Sequence, residues 1–118
     1  SILGALALGD IGKLFPDRDP RYKDADSALL LGEVMRLAWE RGYELGNCDI
    51  TIVAQEPKLA PYIDNMRSRI AGICGCTVGQ ISVKATTEEG LGFTGALEGI
   101  AAHAVCLIQK REISPVNL

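Results

Sequence analysis

The sequence predicts an α+β fold, a mixed β-sheet covered by helices on one face. Three observations lead there. Apolar residues recur at helical spacing over 27–41 and again over the stretch that follows Pro61. Residues 49–55 and 81–86 instead alternate apolar and polar side chains, the period of a half-buried strand. Read along the chain, the elements run helix, helix, strand, helix, strand, strand, and 118 residues suffice for one such domain.

Residues 1–8 read as the tail of a helix, ended by Gly9. They show no cap and no polar lead-in, so the chain is expected to begin inside a domain whose first part lies outside this sequence. Gly9, Gly12, Pro16, Pro20 and three aspartates then make 9–20 an irregular loop, ordered by Ile11, Leu14 and Phe15. In the helix over 27–41, Leu30, Leu31, Val34, Met35 and Ala38 form the apolar face, with Trp39 packing. Glu33, Arg36 and Glu40 lie opposite, spaced for ion pairs. Asp26 or Ser27 caps its start and Gly42 ends it. In the strand over 49–55, Ile50, Ile52 and Ala54 face one way, and Pro57 stops it. The next helix has Pro61 near its first turn, a buried stripe of Ile63, Met66, Ile70 and Ile73, and Gly72 and Gly75 bracketing its end. Ile81, Val83 and Ala85 mark the second strand. Residues 98–109 are read as a long extended strand, and the tail after Lys110 as frayed.

Composition excludes several classes. With 47% apolar residues and a net charge of −3, the chain is neither disordered nor built to neutralise nucleic-acid phosphates. No apolar run approaches the roughly 20 residues of a membrane span, and no leader peptide is read in the first residues. Cys48, Cys74, Cys76 and Cys106 are expected as reduced, buried thiols, which favours a cytosolic setting. Cys74-Gly75-Cys76 is too tight for a usual zinc pair. His103, the one histidine, lies among alanines with no second histidine to complete a zinc site or a triad.

Polar residues collect in three loops at element ends. In the first, Asp10 to Asp19, carboxylates could bind a polyol by accepting hydrogen bonds from its hydroxyls, or simply serve turn chemistry. The second, Ala54 to Ala60, joins strand to helix; its backbone amides suit an anion or a base edge, and Lys58 adds a point charge for phosphate. In the third, Lys84 to Gly90, Thr86 and Thr87 can donate to phosphate oxygens and a neighbouring carboxylate can hold Mg²⁺ or Mn²⁺. Each has a plain alternative as an ordinary solvated turn. The glycines of Gly90-Leu91-Gly92-Phe93-Thr94-Gly95 lack the βαβ context of a dinucleotide fingerprint and are assigned to tight backbone geometry.

Taken in order, three segments resemble the 2-C-methyl-D-erythritol 2,4-cyclodiphosphate synthase family. They are Leu8-Gly9-Asp10-Ile11-Gly12-Lys13-Leu14-Phe15-Pro16-Asp17, Ala54-Gln55-Glu56-Pro57-Lys58, and Val83 through Gly95. The likeness runs from about Ser1 to Lys110. It implies a homotrimeric lyase of the non-mevalonate isoprenoid pathway, in bacterial cytoplasm or plastid stroma, with sites between adjacent subunits. The substrate is a cytidine diphosphate-linked methylerythritol 2-phosphate, whose own 2-phosphate is the nucleophile, and CMP is released. Zn²⁺ and a Mg²⁺ or Mn²⁺ ion are the implied cofactors; neither nucleic acid nor membrane is a partner.

Carried onto this chain, Asp10, Ile11 and Gly12 with Phe15, Pro16, Asp17, Arg18 and Asp19 resemble the methylerythritol-binding loop. Ala54, Gln55, Glu56, Pro57, Lys58, Leu59 and Ala60 resemble the cytidine pocket, with Lys58 near the diphosphate. Thr86, Thr87, Glu88 and Glu89 resemble the phosphate-gripping segment, in which Thr87 stabilises developing charge and Glu89 binds the Mg²⁺ or Mn²⁺ ion. Phe93 matches a position near the substrate and the trimer axis. The family's zinc ligands, an Asp-x-His pair and a further His, fall upstream of Ser1, and His103 matches none of them. Ala96 stands where many members carry an Arg that binds a diphosphate on the trimer axis, which implies weaker binding there. The alternative is a noncatalytic CDP-binding or trimerisation module without a zinc site; a bifunctional fusion is a third possibility.

Overall fold

A computed structural model describes residues 1–16 and 26–112. The sheet order is β2-β1-β3. The central strand β1 (Tyr43–Val53) runs parallel to β2 (Ile81–Thr86) and antiparallel to β3 (Ala101–Lys110), so the expected mixed sheet is present. A parallel pair needs a crossover. It is supplied by a 3₁₀ turn, Ala60–Tyr62, and by a helix over Ile63–Cys74. Among the described residues, three helical segments precede β1: α1 (Ile2–Ala5), α2 (Ile11–Leu14) and α3 (Ser27–Glu40). The crossover helix is α4, and a single turn, α5 (Gly92–Gly95), leads toward β3.

The core lies between α3, α4 and one face of the sheet. Val34, Met35 and Ala38 from α3 meet Ala71 and Cys74 from α4 and Leu45, Ile81 and Val83 from the strands; Ile2, Leu3 and Phe15 complete the cluster. Asp26 caps α3 by accepting the Ala28 N–H at 2.9 Å, and Arg36 pairs with both Glu33 and Glu40 on the outer side. The other sheet face is open. Val105 and Leu107 stay 67% and 60% exposed, in register with Asp49 and Asn47. On that face the Lys84 ammonium donates to Asp49 across β1 and β2, and this hydrogen bond holds the Asp49 carboxyl below its usual range.

Four expectations need correction. The loop read as irregular contains α2, because the Asp10 carboxylate accepts the Lys13 N–H at 2.8 Å and so nucleates a turn of helix. Strand β1 starts at Tyr43, not Asp49. Gly46 lies at a bulge, where the ladder to β3 shifts register between Leu45 and Asn47. The shift lets Leu45 and Cys48, three residues apart, both face the helices. In α4 the deepest residues are Ala71 and Cys74, and Ile73 is half-buried. Gly72 lies inside that helix; Gly75, at φ +67°, is its left-handed cap. The extended reading of 98–109 holds, as β3, while residues 113–118 lie outside the described residues.

The four thiols are unpaired. Cys48 and Cys106 are direct partners across β1 and β3. Cys74, 2% exposed, is pushed up to about 12 by burial. It is therefore expected to be the slowest of the four to react with iodoacetamide at pH 8, as only the thiolate attacks. Peptide mass spectrometry checks this, and equal labelling of Cys74 and the half-buried Cys76 would contradict it.

Candidate functional site

Parallel strands bring the loops that follow them to the same sheet edge. Val53 and Thr86, the last residues of β1 and β2, are register partners, and the Ala54 N–H donates to the Thr86 carbonyl at 3.0 Å. The second and third sequence loops therefore meet. Between them is a cavity of about 300 Å³. Ala54, Gln55, Pro57, Lys58, Leu59 and Ala60 line one side, and Ala85, Thr86 and Thr87 the other. The Glu56-Pro57 peptide is cis. A side-chain bond ties the loops across this edge: the Gly90 N–H donates to Gln55 Oε1 at 3.1 Å.

Beyond Thr87 the chain makes a tight turn. The Leu91 N–H donates to the Glu88 carbonyl at 3.0 Å. Both central residues have positive φ, +52° at Glu89 and +82° at Gly90, the signature of a type I′ turn. Glycine adopts this conformation freely, but a residue with a Cβ does so at a cost of about 1–2 kcal/mol. Glu89 is thus held there by its surroundings. Its N–H donates to Thr87 Oγ1 at 3.2 Å, which leaves the Thr87 hydroxyl proton to be donated elsewhere. Behind the turn lies Gly95. A Cβ there would stand 2.3 Å from the Gly90 carbonyl carbon and 2.7 Å from its Cα, so only glycine allows this approach.

The first loop is elsewhere on the chain. Asp10 caps α2, Phe15 is in the core, and Ile11 is 54% exposed. Neither these residues nor Gly12 and Pro16 line the cavity; Asp17, Arg18 and Asp19 lie outside the described residues. Glu56, Glu88 and Glu89 are exposed beside the cavity without lining it. Phe93, in α5, is 55% exposed and lies over Gly99, where a Cβ would come within 3.1 Å of its ring. Sequence reasoning missed the Gln55–Gly90 bond. The glycine run signalled tight geometry, but nothing in the chain order said which loop it would meet.

Metal-binding capacity is uneven. Among the described residues no group of three His, Cys, Asp or Glu side chains could hold a metal ion, so they do not fit a structural or catalytic zinc site. His103 is exposed on β3 opposite Thr51. Glu89 does fit a Mg²⁺ or Mn²⁺ ion, which needs only one or two carboxylates when substrate phosphates and waters complete its shell.

Fold and cleft together define a class: an α+β domain that presents ammonium, hydroxyl and carboxylate groups at the ends of two parallel strands. Residues 1–109 match the model of the YgbB family, and the chain belongs to that family. The 2-C-methyl-D-erythritol 2,4-cyclodiphosphate synthase of Moorella thermoacetica is 66% identical over 95% of this chain and 69% of its own length. The CDP complex of IspF from Plasmodium falciparum superposes with a TM-score of 0.82 at 36% identity, over 95% of this chain and 67% of that one. The bifunctional IspDF of Campylobacter jejuni gives a TM-score of 0.87 at 44% identity, over 92% of this chain and 30% of that one.

Proposed function

We propose that this chain performs the synthase reaction. It converts 4-diphosphocytidyl-2-C-methyl-D-erythritol 2-phosphate to 2-C-methyl-D-erythritol 2,4-cyclodiphosphate and CMP. An oxygen of the 2-phosphate attacks the diphosphate phosphorus that bears the methylerythritol. A new P–O–P link forms as the P–O bond to CMP breaks, and the electron pair leaves on the CMP phosphate. The observation that carries this reading is the joined cavity, with Lys58 on one wall and Thr87 on the other, in a family whose named relatives are this synthase.

Each group has a role that follows from its place. The Ala54–Ala60 backbone receives the cytosine. Lys58 balances diphosphate charge. The Thr87 hydroxyl, with its oxygen already accepting from Glu89 N–H, donates to the phosphoryl oxygens as charge builds. Glu89 holds Mg²⁺ or Mn²⁺. When bound, that ion neutralises and orients phosphate oxygens. The described residues supply no zinc ligand set, and the reading gives zinc no partner among them.

The reading also includes a homotrimer. Val105 and Leu107 give the open sheet face an apolar surface that a second copy would cover. Asp10, Ile11, Gly12 and Pro16 do not line this chain's own cavity, so in the trimer they serve the site of a neighbouring copy. The test is ³¹P NMR of the substrate with protein and Mg²⁺. Equal amounts of CMP and a cyclic diphosphate are expected; CDP binding without turnover would favour the noncatalytic module.

A further inference from the structure

Gln55 lies in the segment read as the cytidine pocket and lines the cavity, and its side-chain oxygen is engaged by the backbone of the other loop. Its Oε1 accepts the Gly90 N–H at 3.1 Å. Gly90 follows Glu89 in the type I′ turn, which is closed by the Leu91 N–H to the Glu88 carbonyl and joined to α5 by the Gly95 N–H, which donates to the Leu91 carbonyl at 3.1 Å. Thr87 Oγ1 restrains the Glu89 N–H from within the same loop. Gly95 limits the turn from behind by contact with Gly90. Gln55 is the hydrogen-bonding link that reaches the turn from the nucleotide loop.

We infer that Gln55 is a positioning residue, whose Oε1 fixes the Glu88–Leu91 turn and so aims the Glu89 carboxylate at a metal ion on a nucleotide held in the cavity. The inference rests on the proposed synthase site and deepens it. A Gly90 N–H without its acceptor would let the turn relax from its positive-φ geometry. The carboxylate would then spread over several directions, because Glu89 is exposed and its backbone conformation is one that residues with a Cβ avoid. Gln55 therefore acts on metal affinity through the turn, and it couples the two loops thermodynamically.

The test uses the complete natural protein and three variants. Gln55→Met keeps the length and removes the acceptor, Gln55→Asn keeps the amide but withdraws it by one methylene, and Gln55→Glu keeps an oxygen in place. Two binding constants are read: CDP alone by calorimetry, and Mn²⁺ to the CDP complex by electron paramagnetic resonance. For Gln55→Met and Gln55→Asn the Mn²⁺ affinity of the CDP-saturated complex is expected to fall about tenfold, as for loss of an outer partner of a ligand. Gln55→Glu is expected to restore most of the Mn²⁺ affinity. If the Mn²⁺ affinity of the CDP-saturated complex does not fall, or if Gln55→Glu lowers it as far as Gln55→Met does, Gln55 does not position the turn. Failure of the parent protein itself to bind CDP would instead overturn the proposed function. Should Gln55→Met not fold, the Asn and Glu variants alone separate these outcomes.

Discussion

Glu89→Gln is expected to lower kcat/KM by about 10²-fold and to raise the Mn²⁺ concentration needed for half-maximal rate. Losing an outer partner of a metal ligand already costs roughly 10–100-fold, and losing the ligand's charge costs at least as much. The amide keeps the shape of the side chain and can still accept a hydrogen bond, so the turn should stay folded. What disappears is the negative charge that, in the proposed site, would attract a divalent ion. Within the proposed site the effect is assigned to position 89. Glu88 precedes the left-handed residue and Glu56 lies on the opposite loop, whereas Glu89 occupies the first central position of the turn, at φ +52°. Steady-state rates at a series of Mn²⁺ concentrations check this. A variant with parental metal dependence would show that the ion is held by other groups.

How much of this was legible beforehand depends on what each feature rests on. Helix α3 was readable nearly to the residue because its signals are local: an Asp cap, an apolar face at 3–4 spacing, and Gly42 after its end. Strand β2 was readable for the same reason, with Ile81 and Val83 buried and Ser82 and Lys84 exposed. The first half of β1 was not. Gly46 is there because a Cβ would come within 3.1 Å of the Leu107 carbonyl oxygen, a contact made by a strand about 60 residues later. In the site, residue types announced a phosphate chemistry, but partnership did not follow from types. Gln55 and Gly90 are 35 residues apart, and only the parallel pairing of β1 with β2 brings them together. The same holds for the cysteines: Cys48 and Cys106 became neighbours through strand register, which no local pattern encodes.

Gly95→Ala is expected to reduce kcat by about 10²-fold and to destabilise the fold by about 1–3 kcal/mol, the range for overpacking a close contact. Real Cβ atoms do not sit 2.3 Å from a carbonyl carbon, and here the obstacle is Gly90 backbone, not the end of a flexible side chain. Either α5 or the turn must move, by an amount on the order of 1 Å, and displacement of that size at a reacting centre is enough to cost two orders of magnitude. The turn is the part more free to yield, since it is exposed and tied by few bonds, so the Glu89 carboxylate should take most of the shift. A glycine elsewhere supplies the contrast. Gly72 lies in α4 with nothing within 4 Å of a built Cβ, and Gly72→Ala should stabilise by about 0.5–1 kcal/mol with unchanged turnover. Denaturant melts and single-turnover rates of the two variants check both statements. Parental turnover in Gly95→Ala would mean that α5 yields and the turn does not, and that the carboxylate's position is set from the Gln55 side alone.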